Sequence, residues 1–504
     1  MTSSNAARLD PAFTALPYEQ LGDAALQRAR DLGATYADFR FELIAGQTIA
    51  TRDRELEAVT NTETTGYAVR LIHKGAWGFA SGVDFTPDAA AATAARAIEV
   101  AATFAALNSE PVELAEEQAH TGTWISRYEI DPFQVDDAEK IDFLLGLAET
   151  ALGSGKVQHM MARLMQVKEC KYFAGMDGSR IAQQRVRLQS DFQAVRIDPS
   201  TGAFESMTPA APPVGRGWEY CASQYPFARH AEEIPELLEE KMASPSVEPG
   251  RYDLVIHPTN LWLTIHESIG HSTELDRVLG YEANYAGTSF ATLDKLNTLQ
   301  FGSPVMNVTG DRVAEHGLST VGFDDEGVEA QTWDIIRDGV LVGYQLNRQM
   351  ALKQGFGRSN GCAFADEPGH VPLQRMPNVS LLPSETDITL EDLIGGVEDG
   401  IYIVGNNSWS IDMQRYNFQF TGQKFFRIRG GKIDGQLKDV AYQAKTTDFW
   451  NSMEAVGGPS TYVLGGAFNC GKGQPGQIAP VSHGAPAALF RGVNILNTSK
   501  EAGR

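Results

Sequence analysis

The chain has 504 residues, 42% of them hydrophobic and 21% charged, and carries a net charge of −22. Its length allows two to four domains at roughly 100–200 residues each, and its composition is that of a folded protein with real cores. The acidic balance repels phosphate backbones and anionic bilayers, so neither nucleic acid nor a membrane is expected as a partner.

Residues 1–5 are polar, with no basic stretch ahead of an apolar core, so no leader is expected. No apolar run reaches the roughly 18 residues of a membrane-spanning helix. The four cysteines (Cys170, Cys221, Cys362 and Cys470) are far apart and form no CxxC pair. They argue against a disulfide framework and for a cytoplasmic location.

The first expected element is a helix over 18–32, with Leu21, Ala24, Ala25 and Ala29 on one face. Alternation follows: Ala37, Phe39 and Phe41, then Ala68, Arg70 and Ile72, broken by short polar turns, as in an antiparallel meander. Thr86-Pro87-Asp88 starts an alanine-rich helix to about Leu107, with Thr86 as its cap and Pro87 in its first turn. A second amphipathic helix covers 136–152. Strands over 157–170 and 179–197 flank the turn Met176-Asp177-Gly178, and a short acidic helix covers 232–242.

The Ser/Pro-rich stretch 243–250 reads as a linker, which sets an α+β N-terminal domain, 1–245, against a β-rich, barrel-like domain, 246–504. In the second half a single helix near 259–277 stands among short strands and Gly/Pro turns.

That helix contains His266-Glu267-Ser268-Ile269-Gly270-His271. The familiar metalloprotease motif spaces its two His four residues apart, on one helix face. Here the spacing is five, and at about 100° per residue the second ring is turned roughly 140° from the first. If both hold one ion, the helix must be distorted or end near Gly270, which can terminate a helix or permit a bulge. A catalytic zinc takes three protein ligands and leaves one position open. On the residues alone the third is either Glu274, three positions after His271, or Cys470, set among glycines that allow close approach. Zinc suits imidazole and thiolate ligands, and Glu267 would serve as acid and base on the water it activates.

The run Arg277-Val278-Leu279-Gly280-Tyr281-Glu282-Ala283-Asn284-Tyr285-Ala286-Gly287-Thr288-Ser289-Phe290 resembles the TldD/PmbA family of metallopeptidases, and its TldD branch in particular. So do Gly75-Ala76-Trp77-Gly78-Phe79-Ala80, Asp324-Asp325-Glu326-Gly327, Arg375-Met376-Pro377-Asn378, Gly400-Ile401-Tyr402 and Cys470-Gly471-Lys472-Gly473-Gln474, so that the resemblance spans nearly the whole chain. It implies a two-domain peptidase, homodimeric or paired with a PmbA/TldE-like subunit. Its zinc would be held by His266, His271 and Cys470, with Glu267 as acid and base. Its substrates would be unfolded or short peptides, cut internally or trimmed from the carboxyl end, bound by strand addition in an enclosed site. His483 departs from the smaller residues of some relatives; it could stabilise an oxyanion, donate to a ligand or cap a turn.

Two other classes stay open: a metal-stabilised scaffold without turnover, and a zinc amidohydrolase of small amides. The stretch 466–473 nearly matches a phosphate-binding loop, but Gly473 stands where Ser or Thr is required, and Gln474-Pro475-Gly476 forbids the helix that would follow. Asp324-Asp325-Glu326 reads as a solvated turn.

Overall fold

A computed structural model describes residues 8–473 and 475–501; the polar residues 1–5 and Gln474 lie outside the described residues. The alternating stretch forms the antiparallel strands Tyr36–Arg52, Glu55–His73 and Ala76–Gly82, joined by tight turns with positive φ at Asp53, Lys74 and Gly75. The hairpin His159–Gly175/Arg180–Ile197 adds to the far edge of Tyr36–Arg52, and Thr121–Ile125 completes that side in parallel.

Period two then sorts the residues. Phe39, Phe41, Val69, Leu71, Cys170 and Tyr172 face the helices Tyr18–Asp31 and Pro87–Ala105. Further along the same face, Ile49, Leu164, Leu188 and Phe192 meet the helices Asp137–Gly153 and Phe227–Ala243. Thr86 accepts from Ala89 N, with Pro87 in the first turn, as its sequence position implied.

The opposite face is charged and buried. Arg40, Glu42, Arg70, Glu169, Lys171, Arg185 and Arg187 all lie under the second half of the chain. Lys171 Nζ donates to Asp325 at 2.9 Å and to the Ala365 carbonyl at 2.7 Å. Arg70 donates to Glu326 at 3.0 Å, and Arg40 to the His370 carbonyl at 2.6 Å. This corrects the reading of Asp324-Asp325-Glu326 as a solvated turn. Asp324 accepts from the backbone N–H of Glu326, Val328 and Ala363, and the other two pair with the N-terminal sheet, so the acidic run is an internal clasp between the halves.

In the second half Gly250–Ile256 pairs in parallel with Asp399–Ile411 and antiparallel with Ala488–Asn497. Ala488–Asn497 pairs with Val440–Lys445, which pairs with Asn417–Arg429; that strand returns to Asp399–Ile411 and closes a five-stranded barrel. Leu254, Ile256, Ile401, Ile403, Phe418, Phe420, Tyr442 and Phe490 belong to the large core here. The 243–250 stretch is tied down: Val247 is buried, and Lys438 N donates to the Pro245 carbonyl. The mixed α+β architecture with a barrel in the second half is the expected fold class. No helix among the described residues is long and apolar enough to cross a membrane.

Candidate metal centre

The segment expected to be one helix is four pieces. After the barrel strand Gly250–Ile256, His257 caps the helix Pro258–Ile265. The chain then forms a π-helical turn, His266–Gly270, a 3-10 turn, His271–Thr273, and the short helix Leu275–Val278. In the π turn the His271 N–H donates to the His266 carbonyl, so residue i+5 stacks one turn above residue i. This is how the five-residue spacing brings two imidazoles to one place: their ring centroids are 4.6 Å apart.

The distortion sits where expected, but Gly270 acts differently. Its φ is −53°, an ordinary helical value. A Cβ there would come within 2.5 Å of Met376 Sδ, so glycine serves close packing and not a left-handed turn. Carbonyls released from the regular ladder find other donors. Ser272 Oγ donates to Ser268 O at 2.7 Å, Thr273 Oγ1 to Ile269 O at 2.8 Å, and Gln345 Nε2 to Gly270 O at 2.6 Å.

The hairpin Val463–Lys472/Gln477–Ala485 supplies two more side chains. A register shift between Ala467 and Cys470 accompanies the approach of the thiol, whose Sγ lies 3.7 Å from His271 Nε2. One ligand atom each from His266, His271 and Cys470 fall within 4.8 Å of one another, all three buried, so together they could hold a metal ion.

The partners of the two rings determine which nitrogen faces inward. The Val379 carbonyl can only accept, so His483 Nδ1, 2.8 Å away, carries its proton. His483 Nε2 then accepts from His266 Nδ1 at 2.7 Å, which leaves His266 Nε2 bare. Glu274 accepts from His271 Nδ1 at 2.8 Å, which turns His271 Nε2 to the Cys470 side and, in the neutral ring, leaves its lone pair there. Glu274, one of the two third-ligand possibilities, is thus turned to the outer nitrogen of His271 and is also paired with Arg277 and Lys472.

Burial pushes the His266 and His483 pKa values down, and the neighbouring His266 lowers His483 further. The shift favours the neutral form of each ring, the form a ligand and its supporting partner need. Burial opposes the Cys470 thiolate, but the adjacent His271 and the Arg375 guanidinium outweigh it and hold the thiol below its ordinary value. Glu267 is likewise opposed by burial and held below the usual carboxylate range by His271, His266 and Arg415. Arg415 Nη1 donates to Glu267 Oε2 at 2.8 Å, a contact between residues 148 apart in the chain that no local motif announces.

Beside the site, Trp262 lies one helical turn before His266, with its ring parallel to that of His483. It lines a cleft of about 360 Å³ between Gly465–Phe468 of the hairpin and Gln189, Asp191 and Gln193 of the N-terminal sheet.

Comparison with known proteins matches this architecture to one family. Its sequence models match twice: the PmbA/TldA metallopeptidase C-terminal domain over residues 249–497, and domain 1 of the same family over 37–101. A metalloprotease of Methanothermobacter thermautotrophicus is 27% identical over 92% of this chain and 96% of its own length. A zinc metalloprotease TldD homolog of Saccharolobus solfataricus is 22% identical over 92% and 96%. Among solved structures, a Thermotoga maritima protein described as a candidate modulator of a DNA gyrase superposes with a TM-score of 0.74, at 16% identity over 95% of this chain and 100% of its own. TldE of Thermococcus kodakarensis superposes with a TM-score of 0.69, at 14% identity over 94% and 99%. The first-domain match falls on the N-terminal sheet, and the C-terminal match runs from the barrel's first strand through both histidines to the hairpin bearing Cys470, so the chain belongs to the PmbA/TldD family of metallopeptidases.

Proposed function

We propose that this chain is a zinc peptidase of the TldD branch, acting on unfolded or short peptides. His266 Nε2, His271 Nε2 and Cys470 Sγ would be the zinc ligands, and Glu267 the acid and base. The single observation that carries this reading is the convergence of three buried donors, a thiol and two imidazoles whose outer nitrogens are already committed to His483 and Glu274. The donor set fits zinc: donors on a tetrahedral ion with bonds of ~2.0–2.3 Å lie about 3.5 Å apart, near the 3.7 Å between His271 and Cys470.

Bound there, the ion would supply Lewis acidity that acidifies a water molecule and polarises the scissile carbonyl. Glu267, ionised and held by Arg415, takes the proton from the attacking water and returns it to the leaving amine. His483 and Glu274 keep both rings in the tautomer that presents a lone pair inward. Among the described residues three donors converge, not four, which favours an open catalytic site over a closed structural one. The chain would work as a homodimer or with a TldE-like subunit of the same fold, and the partner would help enclose the site.

The test is elemental analysis of the purified protein and its His271→Ala and Cys470→Ser variants, with turnover of unfolded peptides by the Glu267→Gln variant. Zinc should fall in the first two. Turnover should drop by about 10²–10⁴ in the third, with zinc retained. Equal zinc in all three proteins would refute the ligand set.

A further inference from the structure

Arg185 belongs to the N-terminal strand Arg180–Ile197, and Arg312 directly follows the strand Val308–Asp311 of the second half. Both side chains line a small cavity in the seam between the halves, together with Trp124, Val321, Phe323 and Phe364. Its volume is about 20 Å³, room for one water-sized particle and too little for a phosphate or an organic acid. Trp124, Val321 and Phe323 are half-buried, which gives a small solute a way in.

Around this cavity unused donors outnumber unused acceptors. Arg312 is 2% exposed, and among the described residues its one hydrogen bond runs from Nη1 to Ser319 Oγ at 2.7 Å. Its Nε is buried without a partner, so the edge formed by Nε and Nη2 is unused. Arg185 donates from Nε to Glu169 and from Nη1 to the Leu318 carbonyl at 3.2 Å, and its Nη2 is buried without a partner. The carboxylates lining the same space are largely taken. Arg185 and Arg187 hold both oxygens of Glu169, and three backbone N–H groups hold Asp324. Lys171 and the Ala365 N–H hold Asp325 Oδ2, which leaves Asp325 Oδ1 as the one oxygen of the three carboxylates with no hydrogen bond among the described residues.

A buried guanidinium with no counter-charge is costly, and a second one beside it adds repulsion. Burial holds the Arg312 pKa below its ordinary value, Cys362 and Asp324 do not offset this, and Arg185 lowers it further. A water molecule would give these groups an acceptor and no charge, whereas an anion gives both.

We propose that this cavity is a site for one chloride ion, held by Arg185 Nη2 and by the free edge of Arg312, which ties the N-terminal sheet to the second half. The site includes none of His266, Glu267, His271 and Cys470, and it does not depend on the peptidase reading. One element links it to the cleft beside Trp262: the strand that bears Arg185 also brings Gln189, Asp191 and Gln193 there, so the ion steadies one wall of that cleft.

The test is a crystal of the purified protein grown with sodium bromide as its only halide, with data collected at the bromine absorption edge. An anomalous peak in the cavity, in contact with Arg185 and Arg312, is the expected result. Density there without an anomalous signal would be a water molecule and would overturn the proposal. In solution, chloride replacing gluconate at constant ionic strength should raise the Tm by about 1–3 °C along a saturating curve, because the ion binds the folded state alone. Arg312→Gln should remove that dependence. A Tm that follows ionic strength whatever the anion, or a chloride effect undiminished in Arg312→Gln, would overturn the site. Should that variant fail to fold, the bromide peak in the unmutated protein decides alone.

Discussion

Two helices of this molecule begin alike and end differently. Thr86-Pro87 and His257-Pro258 each supply a side-chain cap and a proline in the first turn. The helix Pro87–Ala105 then runs 19 residues, its alanines packed on the N-terminal sheet. The helix Pro258–Ile265 lasts 8 residues before its ladder widens into a π turn and tightens into a 3-10 turn. The first is stabilised by propensity and by its buried face. The second gives up regular bonds to stack His271 over His266, and Ser272, Thr273 and Gln345 take up the carbonyls so released. A change in the first helix should therefore alter stability alone, whereas a change in the second should alter metal binding.

Gly270→Ala breaks that comparison most strongly. In a regular helix the substitution stabilises by up to about 1 kcal/mol. Here the new methyl meets Met376, so denaturant unfolding should reveal a loss of about 1–3 kcal/mol, accompanied by lower zinc content. His483→Ala comes next. Without an acceptor for its Nδ1 proton, the His266 ring is free to turn or change tautomer, and competition with a chromophoric chelator should read zinc affinity about 10–100-fold weaker. Thr86→Ala is the smallest change and the control. It should cost about 1 kcal/mol in thermal unfolding and leave zinc content untouched.

Much of the regular helix was legible in the chain, because caps, proline and periodicity are local signals. The five-residue spacing likewise required a distortion near Gly270. It could not name a π turn, because what crowds Gly270 is Met376, more than 100 residues away. Spacing left Glu274 and Cys470 open as third donor. The fold turns Glu274 to the outer nitrogen of His271, a role that depends on ring orientation and not on sequence distance. Asp324-Asp325-Glu326 reads as solvent-facing because acidic runs beside glycine usually are; its partners Lys171 and Arg70 come from strands about 150 and 250 residues earlier. Arg415 had no signal at all, as one arginine in a polar turn.

X-ray absorption at the zinc edge of the purified protein tests the central claim most directly. The account requires one sulfur at about 2.3 Å and two imidazole nitrogens at about 2.0–2.1 Å, with the sulfur lost in Cys470→Ser. A first shell with no sulfur, or one filled by four protein donors, would contradict it.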